Sequence, residues 1–388
     1  MATNVKHSLP LNKEWIDSQA LKIVKALQER NHTTYLVGGC VRDLLLELTP
    51  KDWDIATSAL PSEINKIIRP SYIIGRRFKL VLVKRYGQQY EISTFRANAQ
   101  DNNDDDVTGP IMDDNTFGSP EEDALRRDFT INSFFYDPVK CELHDYTGGL
   151  SDIEQRVVRM IGDPHIRIQE DPLRMLRALR FAHKANFQIE GSLRSAICEL
   201  AEQLDLSVLP RKREELLKFL RLPTATNLIW ECHDLNLLKY LSPSLNHILE
   251  NDDSDLFHMK LSHGIESVSD MENPNELFAV LLFSMLSAKI PNFSEKLEVT
   301  EQEQESLTLT MKNELGMYRL EQDLFFQTLS FIRQLQEISD PKRIRDRYRQ
   351  HLVKNNSMAT ALTLCSAYKL LPGPHLYYWA NEYFKSHK

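Results

Sequence analysis

The stretch Leu36-Val37-Gly38-Gly39-Cys40-Val41-Arg42-Asp43, with Lys51-Asp52-Trp53-Asp54-Ile55 close behind it, constrains this chain more than any other. An apolar, strand-like run ends in two glycines. A helix-like segment carrying an arginine follows, and then a short strand with two carboxylates. Side chains two positions apart on a strand share a face, so Asp52 and Asp54 can converge on one divalent cation. Gly38 and Gly39 let the backbone approach a phosphate, and the start of the next helix favours negative charge. A phosphate seat beside a carboxylate pair implies metal-assisted phosphoryl or nucleotidyl transfer.

The chain of 388 residues is long enough for two or more domains. Its net charge of −8 does not mark it as a polyanion binder overall, although a local groove is unconstrained by that sum. The five cysteines are far apart, with no CxxC, which fits a reducing cytoplasm. Met1 to Pro10 lacks the apolar core of a signal peptide, and the longest apolar run, Leu277 to Ile290, is too short to span a bilayer.

Periodicity predicts an α+β fold. An amphipathic helix covers Ile16 to Arg30, with Asp17 or Ser18 as its cap. Strands follow at Tyr35–Val37, Asp52–Ala56, Lys79–Val83 and Gln89–Phe95, the last two paired across Tyr86-Gly87-Gln88. These form a small head, about residues 1–150, around a mixed or antiparallel sheet. Ala97 to Pro120, rich in Asp, Asn, Gly and Pro, reads as a long loop. After one more strand at Glu142–Asp145 the pattern is helical, giving a neck over 151–222 and a body over 223–388.

A two-metal site needs a third acid, and Glu91 on the Gln89–Phe95 strand is the best candidate. Asp123 to Asn132 places Arg126, Arg127, Asp128 and Asn132 among helix-like apolar positions. Arginine suits phosphate, and asparagine suits a ribose hydroxyl. In Glu170-Asp171-Pro172 and the helix beyond, Arg174, Arg177 and Arg180 recur every third residue, a basic ridge with few acidic partners nearby in sequence. Asp171 and Arg174 together can accept from and donate to a base edge. His233-Asp234 lacks further ligands in register and reads as helix surface. Lys342 to Arg349, with Tyr348 inside it, is either an RNA-binding stretch or a solvated face.

These motifs resemble those of the family that comprises bacterial poly(A) polymerases and CCA-adding tRNA nucleotidyltransferases. The resemblance is close from about Tyr35 to Leu222 and weak beyond. It implies a nucleotidyltransferase head followed by an all-helical neck and body, with the nucleotide held in a cleft between head and neck. It also implies that Gly38, Gly39 and Arg42 hold the triphosphate, and that Asp52, Asp54 and Glu91 bind two Mg²⁺. Arg127, Asp128 and Asn132 would lie near the ribose and the reaction, with Asp128 among the catalytic acids. Asp171 and Arg174 would read the base, with Arg177 and Arg180 as further nucleotide contacts.

The resemblance favours the poly(A) branch, with ATP as substrate and the 3′ end of mRNA or another RNA as partner. Ile73 to Val83, Phe117 to Ala124, Ser133 and Ile161 to Pro164 look like that branch. The chain length and the absence of a long basic tail look like the CCA-adding branch, whose partner is tRNA. A third alternative, an RNA-binding protein with a dead head, is opposed by the intact trio of acids.

Overall fold

The computed structural model describes residues 5–9, 11, 13–75, 79–97, 117–251, 253–268 and 270–387. Most of the loop expected over Ala97–Pro120 lies outside them. The chain is α+β and falls into two compact units, 1–167 with 187–193, and 168–186 with 194–388.

The first unit carries β1 (Val5–Ser8), α1 (Ser18–Gln28), β2 (Thr34–Val37), α2 (Gly39–Leu45), β3 (Trp53–Thr57) and α3 (Pro61–Ile67). Then come β4 (Tyr72–Ile74), β5 (Leu80–Arg85), β6 (Gln88–Thr94), α4 (Pro120–Leu125), β7 (Phe135–Asp137), β8 (Glu142–Asp145) and α5 (Gly149–Gln155). Eight strands form one sheet in the order β1-β8-β7-β2-β3-β6-β5-β4. Only β3 and β6 run parallel within it; the other pairs are antiparallel. That parallel pair is possible because α3, β4 and β5 carry the chain across between them. β1, β4 and β7 were not evident in the sequence. They are three or four residues long, too short for a period-2 signal to stand out.

Alternation along β3 sorts the side chains between two cores. Trp53 and Ile55 join Ile23, Leu27, Val41 and Leu44 under α1 and α2. Ala56 joins Val37, Phe95, Ala124, Phe135 and Tyr146 on the opposite face. Asp17 caps α1 by accepting the N–H groups of Gln19 (2.8 Å) and Ala20 (2.9 Å). It also accepts the Tyr90 hydroxyl at 2.8 Å, which ties α1 to β6.

The chain continues through β9 (Val157–Val158), α6 (Pro164–Glu170), α7 (Leu173–Ala185), β10 (Gln188–Ile189), α8 (Gly191–Glu199), α9 (Leu209–Leu220) and α10 (Ala225–Asp234). β9 and β10 pair in parallel. The remaining helices are α11 (Leu238–Leu241), α12 (Pro243–Leu249), α13 (Ser254–Ser267), α14 (Pro274–Lys289) and α15 (Phe293–Lys296). After them come α16 (Glu301–Asn313), α17 (Arg319–Gln336), α18 (Asp346–Val353), α19 (Met358–Tyr368) and α20 (Gly373–Ser386). The helix expected over Ala225–Leu238 ends early, because Asn236 takes a left-handed conformation (φ 57°). The helix expected over Lys342–Val353 is a 3₁₀ turn at Pro341–Arg343 followed by α18.

α14 is the apolar run noted in the sequence; it is buried almost throughout. No helix among the described residues is long and apolar enough to cross a membrane. α13 crosses α14 at Gly264. A Cβ there would lie 2.2 Å from Cγ1 of Val280 and 2.4 Å from the Tyr368 hydroxyl. Gly264→Ala is therefore expected to destabilise the chain by roughly 1–3 kcal/mol despite its better helix propensity. A lower denaturation midpoint in guanidinium would show it.

Candidate active site

The parallel register places Asp54 of β3 opposite Glu91 of β6. Asp52 precedes β3 by one residue and Asp54 by two. Asp54 lies on the Ala56 face of the sheet by alternation, away from Trp53 and Ile55. Its carboxyl is pushed up to about 6 by burial first, then by the charge of Glu91, with Asp52 adding to the rise and Arg127 opposing it. Three acids thus repel one another around a desolvated carboxylate. Carboxylate oxygens are hard donors suited to Mg²⁺, and a divalent cation relieves that repulsion. Among the described residues no three His, Cys, Asp or Glu side chains are gathered closely enough to hold a metal ion by themselves.

β2 pairs Val37 with Asp54, so the chain enters the Gly38 turn beside that acid. Gly38 has φ 73° and ψ −133° and directly precedes α2. A Cβ on Gly38 would sit 2.9 Å from Nη1 of Arg127 and 3.5 Å from Oδ2 of Asp54. Only glycine allows this close approach.

Arg42 departs from the expectation. Its side chain is 3% exposed, and Nε and Nη2 bond Oδ1 of Asp43 at 2.9 and 2.6 Å. Its Nη1 donates to Oδ1 of Asn132. In this structure Arg42 orients Asn132 and does not reach into solvent for a phosphate. Asn132, with one lone pair of Oδ1 taken, keeps both amide N–H donors to offer a ribose hydroxyl.

Arg127 donates from Nη1 to the Asn132 carbonyl (3.2 Å) and from Nη2 to Oδ2 of Asp123 (3.2 Å). It lies over the Phe135 ring, 5.2 Å from the centroid. Asp128 is half-buried, and Phe129 after it forms an antiparallel bridge to Met160. Gly38, Asp54, Arg127 and Asn132 therefore meet at one place, with Arg42 behind them.

The second unit holds the arginine ridge. α7 begins at Leu173, with Pro172 as the cap residue. Asp171 accepts the Leu173 N–H at 3.3 Å and pairs with Arg211 at 2.7 Å. Arg174 pairs with Glu170 at 2.7 Å, and Arg180 with Glu215 at 2.9 Å. Arg174, Arg177 and Arg180 are all half-buried, while Leu173, Leu176 and Leu179 are buried. The ridge is thus supplied with acids, contrary to the sequence expectation, because Glu170 and Glu215 come from α6 and α9. His233 is hydrogen-bonded to Asn246 (3.0 Å), in keeping with a helix surface. In the basic stretch, Arg349 pairs with Asp346 and Glu382, and the Tyr348 hydroxyl accepts from Gln334 at 2.9 Å.

Residues 34–159 match the family model of the poly A polymerase head domain. Residues 186–249 match the model described as the probable RNA and SrmB- binding site of polymerase A. The chain is 39% identical over 251 residues to poly(A) polymerase I of Salmonella typhi, which covers 63% of this chain and 54% of that protein. Over these segments the chain is similar to bacterial poly(A) polymerases and CCA-adding enzymes. The CCA-adding enzyme of Lactobacillus delbrueckii subsp. bulgaricus is 40% identical over 203 residues, 52% of this chain and 50% of its own. The crystal structure of the Bacillus stearothermophilus CCA-adding enzyme in complex with CTP superposes with a TM-score of 0.67 and 25% identity, covering 94% of this chain and 82% of that one. The chain spans about half the length of the curated relatives it matches.

The segments that resemble the poly(A) branch of this family act structurally. Ser133 is fully buried, donates to the Thr130 carbonyl (2.8 Å) and bonds the Thr147 hydroxyl (2.6 Å). Ser119 and Glu122 form a capping box on α4. Asp163 caps α6 by accepting the His165 N–H at 2.8 Å. Arg76 to Phe78 lie outside the described residues.

Proposed function

We propose that this chain is a template-independent nucleotidyltransferase that adds AMP from ATP to RNA 3′ ends and releases pyrophosphate. The observation that carries this reading is the register of Asp54 against Glu91, with Asp52 two residues away and Gly38 and Arg127 alongside. The kinship with poly(A) polymerase I supports the choice of AMP.

The proposed head, neck and body are residues 1–150, 151–222 and 223–388. Asp52, Asp54 and Glu91 would hold two Mg²⁺. When bound, these ions would lower the pKa of the RNA 3′-hydroxyl and neutralise charge on the leaving pyrophosphate. The chain's own residues do the rest. Gly38 and Gly39 open the backbone to the triphosphate, and Arg127 supplies positive charge beside it. Asp128 lies among the acids near the reaction. Asn132, held by Arg42, donates to the ribose. Asp171 and Arg174 read the base, and Arg177 and Arg180 hold further phosphate charge. The five free thiols suit the cytoplasm, where ATP and RNA are available.

A second reading, addition of cytidines and adenosine to tRNA, is favoured by the superposition on a CCA-adding enzyme over 94% of this chain. The test offers ATP or CTP separately, with a tRNA that ends before CCA and with an unrelated RNA. Adenylate tails on both RNAs are expected. Cytidine incorporation confined to the tRNA would select the second reading.

A further inference from the structure

Three arginines of the first unit gather beyond the metal acids, and two of them have no role so far. Arg96 follows β6, and Arg126 and Arg127 follow α4. All three are half-buried. They lie within electrostatic reach of one another and of the buried Asp123. Burial, and then the neighbouring guanidinium groups, work against the charge of both Arg96 and Arg126.

Their placement is fixed by separate devices. Asp123 accepts the Arg96 backbone N–H with Oδ1 (3.3 Å) and bonds Arg127 Nη2 with Oδ2 (3.2 Å). Arg96 forms a bridge with Phe117, and the next residue, Gly118, donates its N–H to the Phe95 carbonyl at 3.0 Å. A Cβ on Gly118 would fall 2.6 Å from the Ala97 nitrogen, so the strap needs glycine. Arg167 Nη2 donates to the carbonyls of Arg126 (2.8 Å) and Arg127 (3.0 Å), clamping the backbone of both.

Asp123 is thereby committed elsewhere, and no acid among the described residues stands within ion-pair distance of Arg126. The Nε of Arg127 is buried and has no hydrogen-bond partner among the described residues. Like charges held together at partial burial are stabilised by an anion that several guanidinium groups can share.

We propose that Arg96, Arg126 and Arg127 form a phosphate seat in the first unit. Its ligand is a phosphate group of the reactants, either the terminal phosphodiester of the RNA strand or the triphosphate of the nucleotide. The proposal rests on the reading of the chain as an RNA 3′-end nucleotidyltransferase, but its test needs no turnover.

The full chain and its Arg96→Gln, Arg126→Gln and Arg126→Lys variants are titrated with two probes. One is a fluorescein-labelled oligoadenylate with a free 3′-hydroxyl, followed by anisotropy over a range of salt. The other is ATP with Mg²⁺, followed by calorimetry. Each glutamine variant is expected to weaken one probe roughly five- to tenfold, with partial recovery in Arg126→Lys. Weakened oligoadenylate, with the salt slope lowered by about 0.7, assigns the seat to the strand. Weakened ATP with oligoadenylate unchanged assigns it to the triphosphate. Unchanged affinity for both probes, in either glutamine variant with parental melting behaviour, would overturn the seat. Failure of the parent to add nucleotides would overturn the proposed function and leave these binding results standing.

Discussion

Replacing Asp52 or Asp54 by alanine is expected to abolish nucleotide addition, by roughly 10³-fold or more, because each removes a ligand from the metal that the reaction needs. RNA affinity stays within about twofold, since the acids repel the strand rather than hold it. Filter binding beside primer extension separates the two effects. Substantial extension by the Asp52→Ala variant would sink the assignment of the pair.

The conservative Asp54→Asn variant carries a second expectation, about stability. In the fold the Asp54 carboxyl titrates near 6, against 3.8 in the unfolded chain. Between these values the native state holds a proton that the unfolded state has released, so stability falls as pH rises. The full loss is reached above pH 6 and amounts to at most about 3 kcal/mol. Without metal, Asp54→Asn should be the more stable protein at pH 8 and should lack this pH dependence. Mg²⁺ should raise the melting temperature of the parent and not of the variant. Thermal melts at pH 4 and pH 8, with Mg²⁺ and with chelator, read all of this.

Gly38→Ala is the second large effect. Its φ of 73° with ψ −133° suits glycine, and forcing alanine there costs on the order of 1–3 kcal/mol. The added Cβ also meets Nη1 of Arg127 at 2.9 Å. That guanidinium is the end of a flexible side chain, but moving it breaks its bonds to Asp123 and the Asn132 carbonyl. Displacement of about 1 Å at such a site lowers turnover about 10²-fold. The expected pattern is a chain that still folds, melts lower, and extends RNA poorly at any ATP concentration. Normal turnover in a Gly38→Ala variant would mean that the turn does not position the reacting groups.

What could be read from residues alone followed from short-range geometry. Asp54 falls on a strand as its apolar neighbours indicate, and Gly38 ends the apolar strand before it, whereas Asp52 stands one residue before β3 and not on it. Other features needed long-range contacts. Glu91 became the neighbour of Asp54 through a parallel register that no local pattern encodes. Arg42, expected at the triphosphate, is buried and bonded to Asp43 and to Asn132, 90 residues away. The neck ridge looked unpaired because Glu215 lies 35 residues from Arg180 and Arg211 lies 40 from Asp171.

Incubating the chain with α-labelled ATP, Mg²⁺ and an oligoribonucleotide tests the central claim most directly, with the 3′-hydroxyl either free or blocked. The account predicts a ladder of adenylate additions on the free end alone, with one pyrophosphate released per nucleotide added. Absence of any addition to the free end, or equal labelling of the blocked strand, would contradict it.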